Sequence, residues 1–339
     1  MQIQQITLRR TPEGQPTEAD FALGTAELPA AEGGQARVRV IALSLDPYLR
    51  SAMAGRHLSA AIHPGDVVRG EGLVEVLESR HPRLQNGTRW VAACGWRSHA
   101  VLDAAAIEAA RPVVAEVQPA TLALGVLGMP GLTAWAGFTQ LAHAKAGDTF
   151  VVSAASGPVG ATVGQLARLA GCRVIGIAGG PEKCAWSTGV AGFDDCIDYQ
   201  TKDRAEDRAE DLRAALRRHA PGGVDVYFDN VGGDTLLAVC EQLAPGARIV
   251  LCGLMAQYNG AAPVPLNPGL IIRARATVRG LVVYDHWAHF DAMVTEIGAH
   301  IRAGRLHWRE DIAHGLAAAP AAFARLMAGR NQGKALVVL

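Results

Sequence analysis

The chain has 339 residues, of which 50% are hydrophobic and 19% are charged. This balance is typical of a folded protein of about two domains with a sizeable core, and it excludes disordered and fibrous classes. Lysine plus arginine and aspartate plus glutamate each number 32, so the formal net charge is zero. A neutral chain has no strong field to attract nucleic acid or an anionic membrane, and we expect a small-molecule partner.

The predicted elements change in character along the chain. Residues 1 to about 120 carry short alternating runs, such as 35–43 and 73–78, between Gly, Pro and Asp clusters, which predicts a β-rich segment. From about residue 122 a helical stretch over 122–141 leads into alternating strands and helices, which predicts a doubly wound parallel sheet. The predicted strands are 149–154, 172–178, 195–199, 224–229, 248–252 and 277–283. The predicted helices are 158–170, 181–190, 203–219, 234–243, 286–303 and 320–327, and a final strand is predicted at 335–339.

The six cysteines are scattered without a C-x-x-C pair, which argues against structural zinc and against a disulfide framework. Residues 1–5 do not begin a basic segment followed by an apolar one, and no uninterrupted apolar run reaches membrane-spanning length. A cytoplasmic protein with reduced thiols is the expectation.

A small-residue turn joins the strand at 149–154 to the helix at 158–170. It has the form Ala155-x-Gly157-x-x-Gly160, which lacks the first glycine of the full G-x-G-x-x-G pattern. A helix N-terminus offers unpaired N–H groups and a partial positive charge, and glycine lets a pyrophosphate approach the backbone. By itself this pattern fits an ordinary strand-to-helix turn equally well.

The end of the second strand bears on the choice of coenzyme. A protein that selects NAD usually carries Asp or Glu there, whereas this strand ends in Gly-Gly-Pro at 179–181, followed by Glu182 and Lys183. The small residues leave room for a 2′-phosphate and Lys183 supplies a counter-charge, while Glu182 can turn outward in the first turn of a helix. These residues favour NADPH over NADH. Tyr199, at the end of the third predicted strand, is either a coenzyme contact or an aromatic that packs on the sheet.

Several separated motifs accompany this turn. They are Gly-Met-Pro-Gly-Leu-Thr-Ala at 128–134, Ala-Ala-Ser-Gly-Pro-Val-Gly at 154–160, Phe-Asp-Asn-Val-Gly-Gly at 228–233, Tyr-Asn at 258–259, Val-Val-Tyr at 282–284, Asp-Pro-Tyr-Leu-Arg at 46–50 and Gly-Arg-Asn-Gln-Gly-Lys at 329–334. Together they span nearly the whole chain. In this order they resemble the medium-chain dehydrogenase/reductase superfamily, and more narrowly its zinc-independent branch of leukotriene hydroxydehydrogenase/prostaglandin reductases, plant alkenal reductases and bacterial curcumin-reductase-like enzymes.

The resemblance implies an α/β fold with a GroES-like catalytic domain from residues 1–122 and 309–339 and a Rossmann domain over 123–308, with the active site in the cleft between them. It also implies NADPH as the coenzyme and a homodimer. The coenzyme contacts that the turns and the resemblance indicate are Met129, Thr133, Gly157, Pro158, Val159, Gly160, Gly179, Lys183, Tyr199, Asn230, Val231, Cys252, Tyr258, Val282 and Asn331. No metal site is expected, because residues 69–72 are Arg-Gly-Glu-Gly where the zinc branch has Gly-His-Glu.

Without a metal to polarise an alcohol or ketone, conjugate reduction suits such a site better than carbonyl reduction. We predict NADPH-dependent reduction of the C=C bond of an α,β-unsaturated aldehyde or ketone, with hydride added to the β-carbon. Tyr258 is the candidate group beside the resulting enolate; alternatively it binds the coenzyme ribose and solvent supplies the proton. Tyr48, Arg50 and Tyr284 are expected to line the substrate site, although each fits a packing or fold-stabilising role equally well.

Two other functions stay open at this point: a zinc-independent NADPH:quinone oxidoreductase, and a non-catalytic NADPH-binding protein of the crystallin type. The joint presence of Tyr48, Tyr258 and Asn331 argues mildly against the second. His286 and His289 have metal-ligand spacing, but two ligands do not make a zinc site. Asp229 ends the fourth strand and is expected to serve in the turn that follows.

Overall fold

The computed structural model describes residues 1–113, 118–200 and 205–339, with the backbone alone for 205–207. The strands, in chain order, are β1 (Gln2–Leu8), β2 (Phe21–Glu27), β3 (Ala36–Ser44), β4 (Glu71–Ser79), β5 (Arg89–Ala93), β6 (His99–Leu102), β7 (Arg111–Pro112), β8 (Thr149–Ser153), β9 (Arg173–Ala178), β10 (Asp195–Asp198), β11 (Val224–Asp229), β12 (Leu243–Leu251), β13 (Thr277–Gly280), β14 (Glu310–His314) and β15 (Lys334–Val338).

The α-helices are α1 (Tyr48–Met53), α2 (Ala104–Ala109), α3 (Met129–Ala136), α4 (Pro158–Leu169), α5 (Pro181–Gly189), α6 (Ala205–His219), α7 (Gly233–Cys240), α8 (Met255–Tyr258), α9 (Pro268–Ala274), α10 (Phe290–Arg302) and α11 (Ala319–Met327). The first two residues of the helix predicted at 203–219 lie outside the described residues. Among the residues described, none of these helices has the length and apolar composition needed to cross a membrane.

The chain divides into two compact units. The first comprises residues 1–125, 258–260 and 310–339, and the second comprises residues 126–257 and 261–309. The short segment 258–260 therefore groups with the first unit, although the chain on both sides of it belongs to the second. The domain boundaries predicted from the sequence, 1–122 with 309–339 and 123–308, stay our proposal.

The first unit is built mainly from antiparallel strands. Its seven-stranded sheet has the order β14-β15-β3-β4-β5-β7 with β6 also paired to β3, while β1 and β2 form a separate ribbon. Side chains alternate across β3, so Val38 and Val40 lie in the core, where they join Trp96 and Phe323. The Trp96 and Phe323 rings meet edge to face with centroids 5.7 Å apart. This is the β-rich segment that the alternating runs predict.

The second unit is a parallel sheet of six strands in the order β10-β9-β8-β11-β12-β13. Numbered along the chain, this is the 3-2-1-4-5-6 order of the Rossmann fold, which confirms the predicted fold class. The order reverses between β8 and β11, both of which end at the same edge. Open α/β sheets bind ligands outside the carboxyl ends of their strands at such a switch point.

Both faces of the sheet are covered at β8, β9 and β11, which explains why these three strands are largely apolar in the sequence. Val151 of β8 packs in one core cluster with Ile175 and Tyr227, whereas its neighbours Phe150 and Val152 pack in another. Successive side chains of a strand point to opposite faces, so the two clusters lie on opposite sides of the sheet.

The helix predicted at 122–141 is wrong as a single element. The chain forms a 3₁₀ turn at Ala120–Leu124, then α3, then a π-helical turn at Gly137–Ala142. The backbone before α3 folds against the helix so closely that a Cβ on Gly131 would lie 1.9 Å from the carbonyl oxygen of Val126. Only glycine permits this approach, and helical spacing in the sequence does not reveal it.

Two other predicted helices differ at one end. The helix predicted at 234–243 ends at Cys240, because Leu243 already pairs with Val224 in the sheet. The helix predicted at 286–303 begins as a 3₁₀ turn, Val283–His289, and becomes α-helical at Phe290. The strand predicted at 277–283 stops at Gly280, since that 3₁₀ turn follows it.

Candidate active site

The turn between β8 and α4 has the features of an anion site. Ala154 adopts φ +52°, a left-handed conformation that an L-residue rarely takes. Gly157 precedes the helix in an extended conformation, and no described side chain caps the first turn. The N–H groups of Val159 and Gly160 in that turn have no acceptor inside the helix, and Pro158 has no N–H to leave unpaired. An anion can take those hydrogen bonds.

The two glycines of this turn serve different purposes. A Cβ on Gly160 would lie 2.3 Å from the carbonyl oxygen of Ala154, so the helix can approach the strand this closely only without a side chain there. A Cβ on Gly157 would meet, among the described residues, just the same carbonyl oxygen at 3.3 Å. Gly160 therefore allows close packing of helix and strand, whereas a side chain at Gly157 would be only slightly crowded by the same oxygen.

The turn between β9 and α5 carries the residues that bear on coenzyme choice. The Gly180 N–H donates to the Asp198 carboxylate at 2.8 Å, which fixes the turn against β10. Glu182 is turned outward and forms an ion pair with Arg309 at 2.5 Å. Its carboxylate is thus directed to another partner, as the sequence interpretation allows.

Lys183 and Tyr199 flank the same turn. Lys183 lies in the first turn of α5 with 8% of its surface exposed. Tyr199 follows β10 and is exposed, and a Cβ on Gly179 would lie 3.0 Å from its hydroxyl oxygen. The absence of a side chain at 179 lets the phenol lie over the turn. The structure therefore brings Gly179 and Tyr199 together at the start of the helix that carries Lys183.

Asp229 organises the end of β11. It is fully buried, and its Oδ1 accepts hydrogen bonds from the Ser153 hydroxyl at 2.9 Å and the Tyr227 hydroxyl at 2.7 Å. The backbone N–H groups of Val231 and Gly232 also donate to it, each at 3.0 Å. Burial and the Asp229 charge raise the pKa of Tyr227 well above its usual value, so this phenol stays a donor. Asp229 is thus the turn residue that the sequence predicts.

Asn230 and Cys252 lie at the ends of neighbouring strands. The Asn230 side-chain amide donates to the Ser153 carbonyl at 2.7 Å, and its backbone N–H donates to the Ser153 hydroxyl at 2.9 Å. The Cys252 N–H donates to the Asp229 carbonyl at 2.8 Å. Burial raises the pKa of the Cys252 thiol to about 12, with a smaller contribution from Asp229. These predicted coenzyme contacts therefore lie at the carboxyl ends of β11 and β12, beside the end of β8.

Helix α3 holds further predicted contacts of the second unit. The Thr133 hydroxyl is buried and donates to the Met129 carbonyl at 2.8 Å. The helix packs against α4 and against the 3₁₀ turn Val283–His289. Val282 immediately precedes that turn, and Tyr284 lies in it with an exposed ring. Met129 and Thr133 thus lie on a helix that contacts both α4 and the turn that Val282 precedes.

Tyr48 and Tyr258 belong to the first unit. Both are half-buried and pack against the same core cluster. The Tyr48 ring lies 4.8 Å from the His57 ring, centroid to centroid. Tyr284, the third predicted tyrosine, belongs to the second unit.

Arg50 follows Tyr48 on α1 but is only 3% exposed. Its guanidinium donates to the carbonyl oxygens of Pro12 at 2.8 Å and Gly14 at 3.0 Å. Burial, together with the neighbouring Arg56, lowers its pKa. These contacts fit the fold-stabilising alternative, with carbonyl partners in place of an ion pair, and a role toward substrate stays a prediction.

A buried ion pair near α1 is not evident from the sequence. Lys334 is 3% exposed, and its Nζ lies 2.6 Å from the Asp46 carboxylate. Both residues stand in recognisable motifs, 46–50 and 329–334, yet nothing in the sequence shows that they pair. The bond fixes the residue two positions before Tyr48. Asn331, in the second motif, donates from its side-chain amide to the Gly333 carbonyl at 2.8 Å.

Known proteins resemble this chain in sequence and fold. Residues 4–110 match the family model described as the N-terminal domain of oxidoreductase, and residues 158–299 match the model described as zinc-binding dehydrogenase. The chain is 36% identical over 338 residues to the NADPH-dependent curcumin reductase of Escherichia coli (strain K12), covering 97% of this chain and 95% of the relative. The chain belongs to the medium-chain dehydrogenase/reductase superfamily.

Within this superfamily it falls in the zinc-independent branch that the motifs indicate. It is 36% identical over 342 residues to the 2-alkenal reductase (NADP(+)-dependent) of Nicotiana tabacum, covering 99% of this chain and 97% of the relative. The crystal structure of CurA in complex with NADPH from Vibrio vulnificus superposes with a TM-score of 0.89 at 36% identity, covering 99% of this chain and 98% of that one. Among the described residues of this family member, no group of three or more His, Cys, Asp and Glu side chains could hold a metal ion.

Proposed function

We propose that the chain is an NADPH-dependent reductase that saturates the C=C bond of α,β-unsaturated aldehydes or ketones. The preference for NADPH is supported by the turn after β9. Lys183 and Tyr199 flank Gly179 there, and Glu182 is paired with Arg309. The reaction class is supported by relatives whose names give curcumin and 2-alkenals as the compounds they reduce.

The residues fit such a coenzyme on structural grounds. The first turn of α4, without a side-chain cap, offers the N–H groups of Val159 and Gly160 to a pyrophosphate, and Gly157 places no side chain before them. Lys183 and Tyr199 would hold a 2′-phosphate. When bound, NADPH supplies the hydride. The remaining residues proposed to contact it are Met129, Thr133, Pro158, Gly179, Asn230, Val231, Cys252, Tyr258, Val282 and Asn331.

The chain's own contribution to the chemistry falls to its tyrosines. A neutral phenol has a pKa of about 10, so at neutral pH it can donate a hydrogen bond to an enolate oxygen. Tyr258 takes this role in the proposal, and Tyr48 and Tyr284 offer flat apolar faces to a conjugated substrate. Arg50, two residues after Tyr48, is proposed to line the same site. The alternative, in which Tyr258 binds the coenzyme ribose and water delivers the proton, stays open.

Replacing Tyr258 by Phe separates these roles. If the phenol stabilises the enolate, kcat falls by about 10²- to 10³-fold, because one donor to a developing oxyanion is lost, while KM for NADPH changes little. A ribose contact predicts the opposite, a raised KM for NADPH with nearly normal kcat. Tyr48→Phe is the matched control, since Tyr48 packs against the same core and is proposed to supply its ring only.

The proposed reaction is tested by following NADPH absorbance with the purified protein and a 2-alkenal. Parallel reactions contain a quinone, no acceptor, or NADH in place of NADPH. The proposal requires consumption with the 2-alkenal and a clear preference for NADPH. Consumption with the quinone alone would favour a quinone oxidoreductase, and no oxidation across a panel of enals and enones would favour a coenzyme-binding protein without this activity.

The proposal includes a homodimer. Strand β13 is the outer strand of the six-stranded sheet, and each of its residues is exposed. Val278, at its centre, has 40% of its surface exposed. An exposed strand edge presents unpaired N–H and C=O groups that a second copy can satisfy.

A further inference from the structure

Two cysteines that are distant in sequence lie side by side in the second unit. Cys184 is on α5 and Cys196 is on β10, and their sulfur atoms are 2.9 Å apart. Both are free thiols, and both are only partly buried. Cys196 lies beside Gly176 of β9, where a Cβ would come 3.2 Å from its sulfur, so the strand leaves room for the thiol at this position.

The two thiols have unequal acidities. The Cys196 S–H donates to the Cys184 sulfur, which lowers the pKa of Cys184 against the opposing effects of burial and of Asp198. The same hydrogen bond, together with burial, raises the pKa of Cys196 strongly. The directions of these two pKa shifts favour Cys184 as the sulfur that ionises, with the Cys196 thiol as its hydrogen-bond donor. A thiolate next to a second thiol is the arrangement found in peroxide-sensitive cysteine pairs.

We propose that Cys184 and Cys196 form a peroxide-sensitive pair that closes to a disulfide between α5 and β10. In the first step the Cys184 thiolate attacks one oxygen of a hydroperoxide and the O–O bond breaks. The leaving oxygen takes a proton, as water if the oxidant is hydrogen peroxide, and Cys184 becomes a sulfenic acid.

In the second step the Cys196 sulfur attacks the Cys184 sulfur. The S–S bond forms, the S–O bond breaks, and the departing hydroxide takes the proton of Cys196 and leaves as water. The two thiols lose two electrons and the peroxide gains them. A disulfide S–S bond is about 2.05 Å long, so the sulfurs approach by less than 1 Å from their present separation.

The pair is positioned to affect the coenzyme site, an inference that rests on the proposed function. Cys184 directly follows Lys183 on α5, and Cys196 lies two residues before Asp198, which holds the Gly180 N–H. The bond would join the two elements that form the turn proposed to hold a 2′-phosphate. We expect the bond to displace Lys183 and to raise the Kd for NADPH by about 3- to 10-fold, the effect of weakening one hydrogen bond, with little change for NADH.

The experiment treats the full chain with hydrogen peroxide and measures intact and peptide masses. The wild type is expected to lose the mass of two hydrogens, to yield a peptide cross-linked between Cys184 and Cys196, and to recover its mass with dithiothreitol. Cys184→Ser and Cys196→Ser should not form the link, and Cys196→Ser should instead accumulate a dimedone-reactive sulfenic acid at Cys184. Cys240→Ser is the control, because Cys240 is fully buried and should leave the link intact.

Absence of the Cys184–Cys196 link in the wild type, or an unchanged link in Cys184→Ser, would overturn the proposal. The Kd values for NADPH and NADH are then measured on the reduced and the oxidised wild type. A linked protein that binds NADPH as tightly as the reduced form would refute the coupling to the coenzyme site. A reduced protein that fails to bind NADPH would instead refute the proposed function, while the mass data still decide the thiol chemistry.

Discussion

Substituting the two glycines of the β8–α4 turn should separate stability from coenzyme binding. In Gly160→Ala the new methyl group would stand 2.3 Å from the Ala154 carbonyl oxygen, where ordinary contacts begin at 3.4 Å. The helix must therefore move away from the strand by about 1 Å. Forced overpacking of this kind typically costs about 1–3 kcal/mol. At roughly 2–4 °C per kcal/mol for a domain of this size, Tm should fall by several degrees.

Gly157→Ala is the matched comparison. Its methyl group would be 3.3 Å from the same oxygen, only slightly closer than an ordinary contact, and φ at this position is −77°, which alanine adopts without strain. Tm should therefore stay close to that of the wild type. The methyl group would occupy the space in front of the first-turn N–H groups, so the Kd values for both NADPH and NADH should rise at least about tenfold.

The Tm of each variant is measured by thermal unfolding followed by circular dichroism. The Kd for each coenzyme is measured by the quenching of intrinsic fluorescence. The reasoning fails if Gly160→Ala melts at the wild-type temperature. It also fails if Gly157→Ala binds both coenzymes normally, because the absence of a side chain at position 157 would then have no bearing on the pyrophosphate.

Three further outcomes follow from particular contacts. Lys183→Met should raise the Kd for NADPH by about 10- to 100-fold and leave the Kd for NADH nearly unchanged. Glu182→Gln is the control, because Glu182 pairs with Arg309, and it should change neither Kd. An equal rise of both Kd values in Lys183→Met would refute a contact between Lys183 and the 2′-phosphate. Val278→Lys should convert a dimer into a monomer in sedimentation velocity, and a monomeric wild type would contradict the proposed dimer. Burial raises the pKa of Glu310 above its ordinary 4.5, so the folded state loses stability as the pH rises from 4.5 through the higher folded-state pKa. Glu310→Gln should therefore stabilise the chain against urea at pH 7 but not at pH 4. Equal effects of the substitution at both pH values would show that the Glu310 charge is not responsible.

The fold of the second unit could be predicted closely because its central strands β8, β9 and β11 are buried on both faces. The apolar runs around Val151 and Val226 are separated by alternating turns and helices, and this pattern predicts buried parallel strands. The stretch 122–141 could not be predicted, because close backbone contact at Gly131 interrupts an otherwise helical spacing.

The sequence indicates the chemistry of the candidate site most directly where its residues are close in the chain, and the role of each predicted contact stays a prediction. The turn at 154–160 indicates a pyrophosphate site, and the segment 179–183 indicates a 2′-phosphate site, each from a few consecutive residues. The Lys334–Asp46 and Cys184–Cys196 pairs depend on strand register and helix packing, which bring together residues that no motif connects. The domain boundaries and the cytoplasmic location stay predictions.

The central claim, hydride addition to the β-carbon of a conjugated carbonyl, is tested most directly by isotope tracing. The protein is incubated with a 2-alkenal and NADPH carrying deuterium at the transferable position, and the product is analysed by NMR. The account predicts a saturated aldehyde with deuterium at the carbon β to the carbonyl. An allylic alcohol with deuterium at the former carbonyl carbon would contradict it.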